Sequence, residues 1–136
     1  MKGSYIIVMH LPENINVRVG ALGELDFVKG YYLYIGSAMG KKGSTTLENR
    51  VKRHVSNPND KKLFWHIDYL LTNKACVIAC IYLIPSLNRL ECLIAKDLSQ
   101  ISDNIVKDFG SSDCDCLSHL FYFQSFWDLE QISEPT

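Results

Sequence analysis

An α+β domain is the fold class this sequence predicts: a small, mainly antiparallel sheet with three helices packed on it and one extra β-hairpin. Three observations predict it. Through the first 38 residues, short apolar stretches alternate with polar positions and are cut by turn residues, which is strand patterning. From Thr45 the apolar residues fall at four-residue spacing, the period of a buried helix stripe. At Ala75 to Ile84 a near-continuous β-branched run returns to strand. The 136 residues suit one domain, and 47% hydrophobic with 21% charged is ordinary globular composition.

Gly3 to Leu11 reads as the first strand, broken by Pro12-Glu13-Asn14. Ile15, Val17 and Val19 alternate with polar residues in a second strand. Gly20 to Gly23 turns the chain into a third, carrying Leu25 and Phe27. Tyr31 to Ile35 is a fourth, aromatic-rich strand. Four strands with short turns predict an antiparallel meander. Thr45 with Glu48 is a capping-box signature, and Leu47, Val51 and Val55 mark the inner stripe of the first helix, which Asn57-Pro58 ends. Leu63 to Leu71 predicts a second helix with Ile67, Leu70 and Leu71 inward. The run from Ala75 to Ile84 predicts a central strand buried on both faces. Pro85-Ser86 opens a third helix, with Leu87, Leu90, Ile94 and Leu98 inward. Phe109 to Asp113 is a loop and His119 to Phe123 a last strand. The domain is set at residues 1–124, and 125–136 form a short C-terminal tail.

The net charge of −1 is unevenly spread. Lys41, Lys42, Arg50, Lys52, Arg53, Lys61 and Lys62 are opposed between 41 and 62 only by Glu48 and Asp60, so this segment carries +5 and the rest −6. Such a segment is either a solvated face or a phosphate-facing surface. The longest apolar run, Ala75 to Pro85, is too short to cross a bilayer, and the N-terminus shows no signal-peptide cleavage pattern. A cytoplasmic protein with no membrane contact is expected. The five cysteines are an odd number, and buried reduced thiols are the expectation. Cys114-Asp115-Cys116 with His119 raises zinc, with Cys92 or His66 as a further ligand if the fold brings one close. The spacing is not that of two well-separated pairs, so zinc is not expected.

Gly3-Ser4-Tyr5 near the start, Tyr34-Ile35-Gly36 at the end of the fourth strand, and the helix bearing Arg50, Arg53 and His54 follow one another in order. Together they resemble the GIY-YIG nuclease superfamily, with Ser4 in place of isoleucine in the first tripeptide. Glu91 falls where that family places its metal-binding glutamate. Trp65 to Leu70 and Phe109 to Cys114 are similar to a single-domain branch of it, and the resemblance covers nearly the whole chain. Between Tyr5 and Tyr34 lie 28 residues, more than the family commonly has. The excess reads as a hairpin inserted at about 13–30, which leaves the two motif strands able to pair.

The resemblance implies a metal-dependent endonuclease acting on nucleic acid, with DNA the expected substrate and little intrinsic sequence specificity. A protein partner would then supply targeting. The alternative is a non-catalytic nucleic-acid-binding module on the same fold. Glu91 would hold one Mg²⁺ or Mn²⁺, which keep several waters. Arg50 offers a planar fork to two phosphate oxygens. Tyr5 would assist or accept the proton of the attacking water, and Tyr34 would orient water or phosphate. Cations nearby would lower a tyrosine's pKa toward phenolate. His66 is a general acid-base candidate. Gly36, Ser37, Arg53, His54, Lys61 and Lys62 are expected to contact substrate.

Overall fold

The structure, a computed structural model, describes residues 1–40, 43, 46–56, 63, 65–111 and 116–125. The α+β fold is as expected, and the main sheet is antiparallel throughout. Its strands are β1 (Gly3–Leu11), β4 (Gly30–Ala38), β5 (Val77–Pro85), β6 (Asn104–Ile105) and β7 (Leu120–Phe123), in the order β5-β1-β4-β7-β6. Among the described residues β2 (Ile15–Arg18) and β3 (Glu24–Phe27) pair only with each other, as a separate two-stranded ribbon.

The expected meander is therefore corrected. β1 is apolar on both faces and buried along nearly its whole length, so it needs a long partner on each edge. The four residues of β2 cannot supply one. β4 can, and it pairs with β1 from Gly3 opposite Ala38 to Leu11 opposite Gly30. The inserted hairpin leaves the two motif strands side by side. Gly3 permits the other pairing: a Cβ there would run into the main chain of Ile84 and Pro85 on β5.

β5 also departs from expectation. It is an edge strand among the described residues, not a central one, and Val77, Tyr82 and Leu83 are exposed on it. β1 lies inside the sheet, between β5 and β4, and its apolar residues meet helices on both sides. Tyr5, Ile7, Met9 and Tyr34 pack with Leu47 of α1 (Leu47–His54) and Ile67, Leu70 and Leu71 of α2 (His66–Leu71). Ile6, Val8, Leu33 and Ile35 pack on the opposite face with Ala95 and Leu98 of α3 (Glu91–Ile101).

The helix starts shift. Thr46 caps α1, its Oγ1 accepting the Asn49 N–H at 3.3 Å, while Thr45 lies outside the described residues. α1 ends at His54, so Val55 is exposed and leaves the inner stripe. Asn57 and Pro58 lie outside the described residues. α2 begins at His66, and Leu63 is exposed. Pro85 belongs to β5, and the Ser86 hydroxyl accepts the Asn88 N–H in a turn that delays α3 to Glu91. Leu87 is consequently 86% exposed and contributes nothing to the core. β6 has only two residues, too few to leave a periodic signal. Among the described residues no helix is long and apolar enough to cross a membrane.

Candidate functional site

Tyr5 and Tyr34 point to the α1 and α2 face of the sheet, because residues an even number apart share one side of a strand and β1 and β4 are in register. Tyr5 lies directly across Gly36, where a Cβ would overlap its ring. Gly36 was expected to contact substrate; its side-chain position is instead the space into which the Tyr5 phenol lies. The two tyrosine rings stand 6.5 Å apart between centroids.

The Tyr5 hydroxyl shares a hydrogen bond of 2.7 Å with His54 Nε2 from α1. His54 is 1% exposed and packs 5.7 Å from the Trp65 ring. It is therefore not the substrate contact that its basic neighbourhood suggested. Arg53 has a partner within the protein. Its guanidinium makes a bidentate pair with Asp68 of α2, at 2.8 and 2.9 Å, and stacks 4.2 Å from the Trp65 ring. Asp68 is fully buried and also accepts the Trp65 N–H at 2.8 Å. Arg53 thus ties α1 to α2.

Arg50 keeps a different role. It lies one helical turn before His54, 4.7 Å from the Trp65 ring, and its charge acts to lower the Tyr5 pKa. Its Nη1 is 3.4 Å from the Ser37 carbonyl oxygen. Ser37 also receives Arg89, whose Nη1 is 3.3 Å from the serine Oγ and 3.4 Å from Glu91 Oε1. This chain of contacts carries the first turn of α3 around the strand end to the site. Glu91 keeps a side-chain exposure of 14%, and its charge is felt at both phenols.

The phenols differ from expectation. Burial pushes the Tyr5 pKa up, and the nearby Arg50 offsets only part of that. Tyr34 is raised further by burial, then by Tyr5 and Glu91. Both are neutral hydroxyls at physiological pH. Low dielectric outweighs the arginine that was expected to favour phenolate.

His66 opens α2 and its Nδ1 accepts the Gly110 N–H at 2.8 Å. That bond makes Nε2 the protonated nitrogen, so His66 is a donor to anything beyond it. Burial lowers its pKa, which keeps it neutral. Gly110 in turn stands at φ 72° against Tyr34, so His66 holds the Phe109–Gly110 turn over that ring. Lys61 and Lys62 lie outside the described residues.

Four sequence-predicted residues therefore come together around one end of β1 and β4: Tyr5, Tyr34, Arg50 and Glu91. His54, Asp68 and Arg89 complete the surroundings. The partners of His54 and Arg53, Tyr5 and Asp68, left no signal in the sequence. Arg89 had one signal, its place two residues before Glu91.

The four described cysteines are not buried thiols. Cys80 on the edge strand β5 and Cys92 on α3 are exposed, and Cys76 and Cys116, outside any strand or helix, are half-buried. The Cys92 and Cys116 sulfurs are in disulfide contact. Cys114 lies outside the described residues.

Residues 4–135 match the family described as domain of unknown function DUF123. The chain belongs to DUF123. The match spans every residue of the candidate site in this DUF123 domain, from Tyr5 on β1 to Glu91 on α3. No curated protein and no solved structure matches it.

Proposed function

We propose that this DUF123 domain is a metal-dependent endonuclease hydrolysing nucleic-acid phosphodiesters, with DNA as substrate and little sequence preference of its own. The observation that carries the reading is that Arg50, and Glu91 through Arg89 and Ser37, reach the strand end that holds two tyrosines on paired strands. In-line hydrolysis needs a held phosphate, a proton acceptor for water and charge on the phosphate oxygens.

Arg50 supplies the fixed donor fork. Its stacking on Trp65 and its reach to Ser37 pre-orient the guanidinium before substrate arrives. Glu91 is the residue that would hold a divalent cation. It suits Mg²⁺ or Mn²⁺: a single hard carboxylate leaves the other positions to water and phosphate, and its long contact with the 63%-exposed Arg89 is weak enough to yield. Such an ion would neutralise charge on the phosphate and lower the pKa of a bound water.

Tyr5, neutral through burial, acts with a neighbour. When His54 Nε2 accepts, the phenol passes its proton to the imidazole as it takes one from water, so no isolated buried phenolate forms. Tyr34 orients the phosphate or the water as a donor. His66 positions the turn over Tyr34 and offers Nε2–H as a donor, not as a base.

The reading is tested by incubating the purified chain with branched, single-stranded and duplex DNA, and with RNA, in Mg²⁺ or Mn²⁺. Cleavage is expected on DNA, abolished by EDTA. Arg50→Ala and Glu91→Ala are each expected to cost about 10²-fold or more in turnover, the scale of losing a transition-state charge partner. Cleavage that persists at the wild-type rate in both variants would refute this site. A second reading, nucleic-acid binding without catalysis, is favoured by the burial that keeps both phenols protonated. It predicts salt-sensitive binding with no product under either metal.

A further inference from the structure

A second group of chemistry-bearing side chains lies outside the proposed nuclease site. Cys92, Cys116 and His119 place their ligand atoms within 4.8 Å of one another. We propose that these three residues bind one Zn²⁺, which clips the first turn of α3 to the segment entering β7.

A disulfide accounts for two sulfurs but not for an imidazole converging on them. A thiol reductant opens the Cys92–Cys116 contact to two thiols and leaves as its own disulfide, and zinc then displaces the two thiol protons to solvent. Around zinc, thiolate sulfurs at about 2.3 Å and imidazole nitrogens at about 2.0 Å stand roughly 3.5 Å from one another, so the reduced atoms need little further movement to become ligands. The Cys92 and Cys116 Cα atoms are 6.0 Å apart. Two thiolates and an imidazole are a borderline-soft set that selects zinc and rejects Mg²⁺, unlike the lone carboxylate of Glu91. Water or one further donor completes four-coordination.

The scaffold holds the ligands in place before metal arrives. The His119 N–H donates to Phe109 O and its carbonyl accepts the Ile35 N–H, both at 2.9 Å, so the residue is fixed to the β4 edge. The Leu117 carbonyl accepts the Asp108 N–H at 2.9 Å. The Ser118 hydroxyl donates to Val106 O and accepts the Leu120 N–H at 2.9 Å. Cys92 sits on a helix anchored by Ala95 and Leu98 in the core. The two cysteines open on a cleft of about 610 Å³, also lined by Lys96, whose charge offsets the thiolates. Metal can enter there. Sequence spacing weighed against zinc because Cys-x-x-His supplies only one end of the site; α3, 24 residues back from Cys116, supplies the other.

The metal has a structural consequence. Glu91 is the residue before Cys92, so a clip at Cys92 fixes the turn that carries the proposed nuclease carboxylate. The zinc site itself does not depend on the nuclease reading.

The test is metal analysis of chain purified under reducing conditions without added zinc, followed by Co²⁺ titration. One zinc per chain is expected. Co²⁺ should give thiolate charge-transfer absorption and intense tetrahedral d–d bands. Cys92→Ser, at an exposed position that leaves folding intact by circular dichroism, and His119→Gln should each weaken binding by more than the ~10–100-fold that an outer-shell loss costs. Cys80→Ser should leave metal content unchanged. The proposal is overturned by a metal-free chain whose Cys92 and Cys116 thiols are oxidised to a disulfide under those conditions. Zinc retained equally in both ligand variants, an adventitious ion only, would overturn it too. None of these readouts uses nuclease activity.

Discussion

Asp68 shows how far one buried side chain governs its surroundings. Its carboxylate takes both Arg53 nitrogens and the Trp65 N–H, with no exposure of its own. Two helices and the ring beneath Arg50 depend on it. Asp68→Ala leaves the guanidinium without its partner in a partly dry setting. Breaking a buried pair costs about 3–5 kcal/mol, and the 27% exposure of Arg53 places this one at the lower end. Urea denaturation should show a loss of about 3 kcal/mol. Arg53→Ala combined with Asp68→Ala should recover part of it, since no lone charge then remains. A surface role for Arg53 predicts near-neutral effects instead.

At the level of elements, the motif strands were readable and their neighbours were not. The order of Tyr5, Tyr34-Ile35-Gly36, Arg50 and Glu91 is a one-dimensional pattern, so the residues of the candidate site could be named from the chain. Their pairings could not: His54 meets Tyr5 across 49 positions and Cys92 meets Cys116 across 24. β1 and β5 carry similarly apolar runs, and nothing local distinguishes the central strand from the edge strand. The register of β1 with β4 decides it, and that register also explains Gly36. A methyl group there meets the Tyr5 ring between two buried strands, where neither can retreat. Gly36→Ala should destabilise the fold by about 1–3 kcal/mol, the usual cost of overpacking, as measured by thermal or chemical melting. It should also displace the Tyr5 hydroxyl from His54, visible as a shift of the His54 ring resonances. An alanine accepted with unchanged stability would mean that Tyr5 does not lie across this position.

On the scale of the whole molecule, the sheet has two cores and one set of strands between them. β1 sends Tyr5, Ile7 and Met9 into the core under α1 and α2, and Ile6 and Val8 into the core under α3. β4 does the same with Tyr34 on one side and Leu33 and Ile35 on the other. Neither core can open without stripping apolar cover from strands the other needs, so the two should unfold as one cooperative unit. Leu98→Ala tests this from α3, far in sequence from α1. Leu98 is 3% exposed, and its truncation should cost about 2–5 kcal/mol through lost burial and a residual cavity. Native-state hydrogen exchange should then show β1 amides such as Ile7, and amides of α1 and α2, losing protection by the same free energy as those of α3. Full protection retained on the α1 and α2 side would make the α3 face an independently melting layer. Glu91 would then ride on the less stable layer, and the turn bearing it would need a tie of its own to keep the carboxylate beside Tyr5 and Arg50.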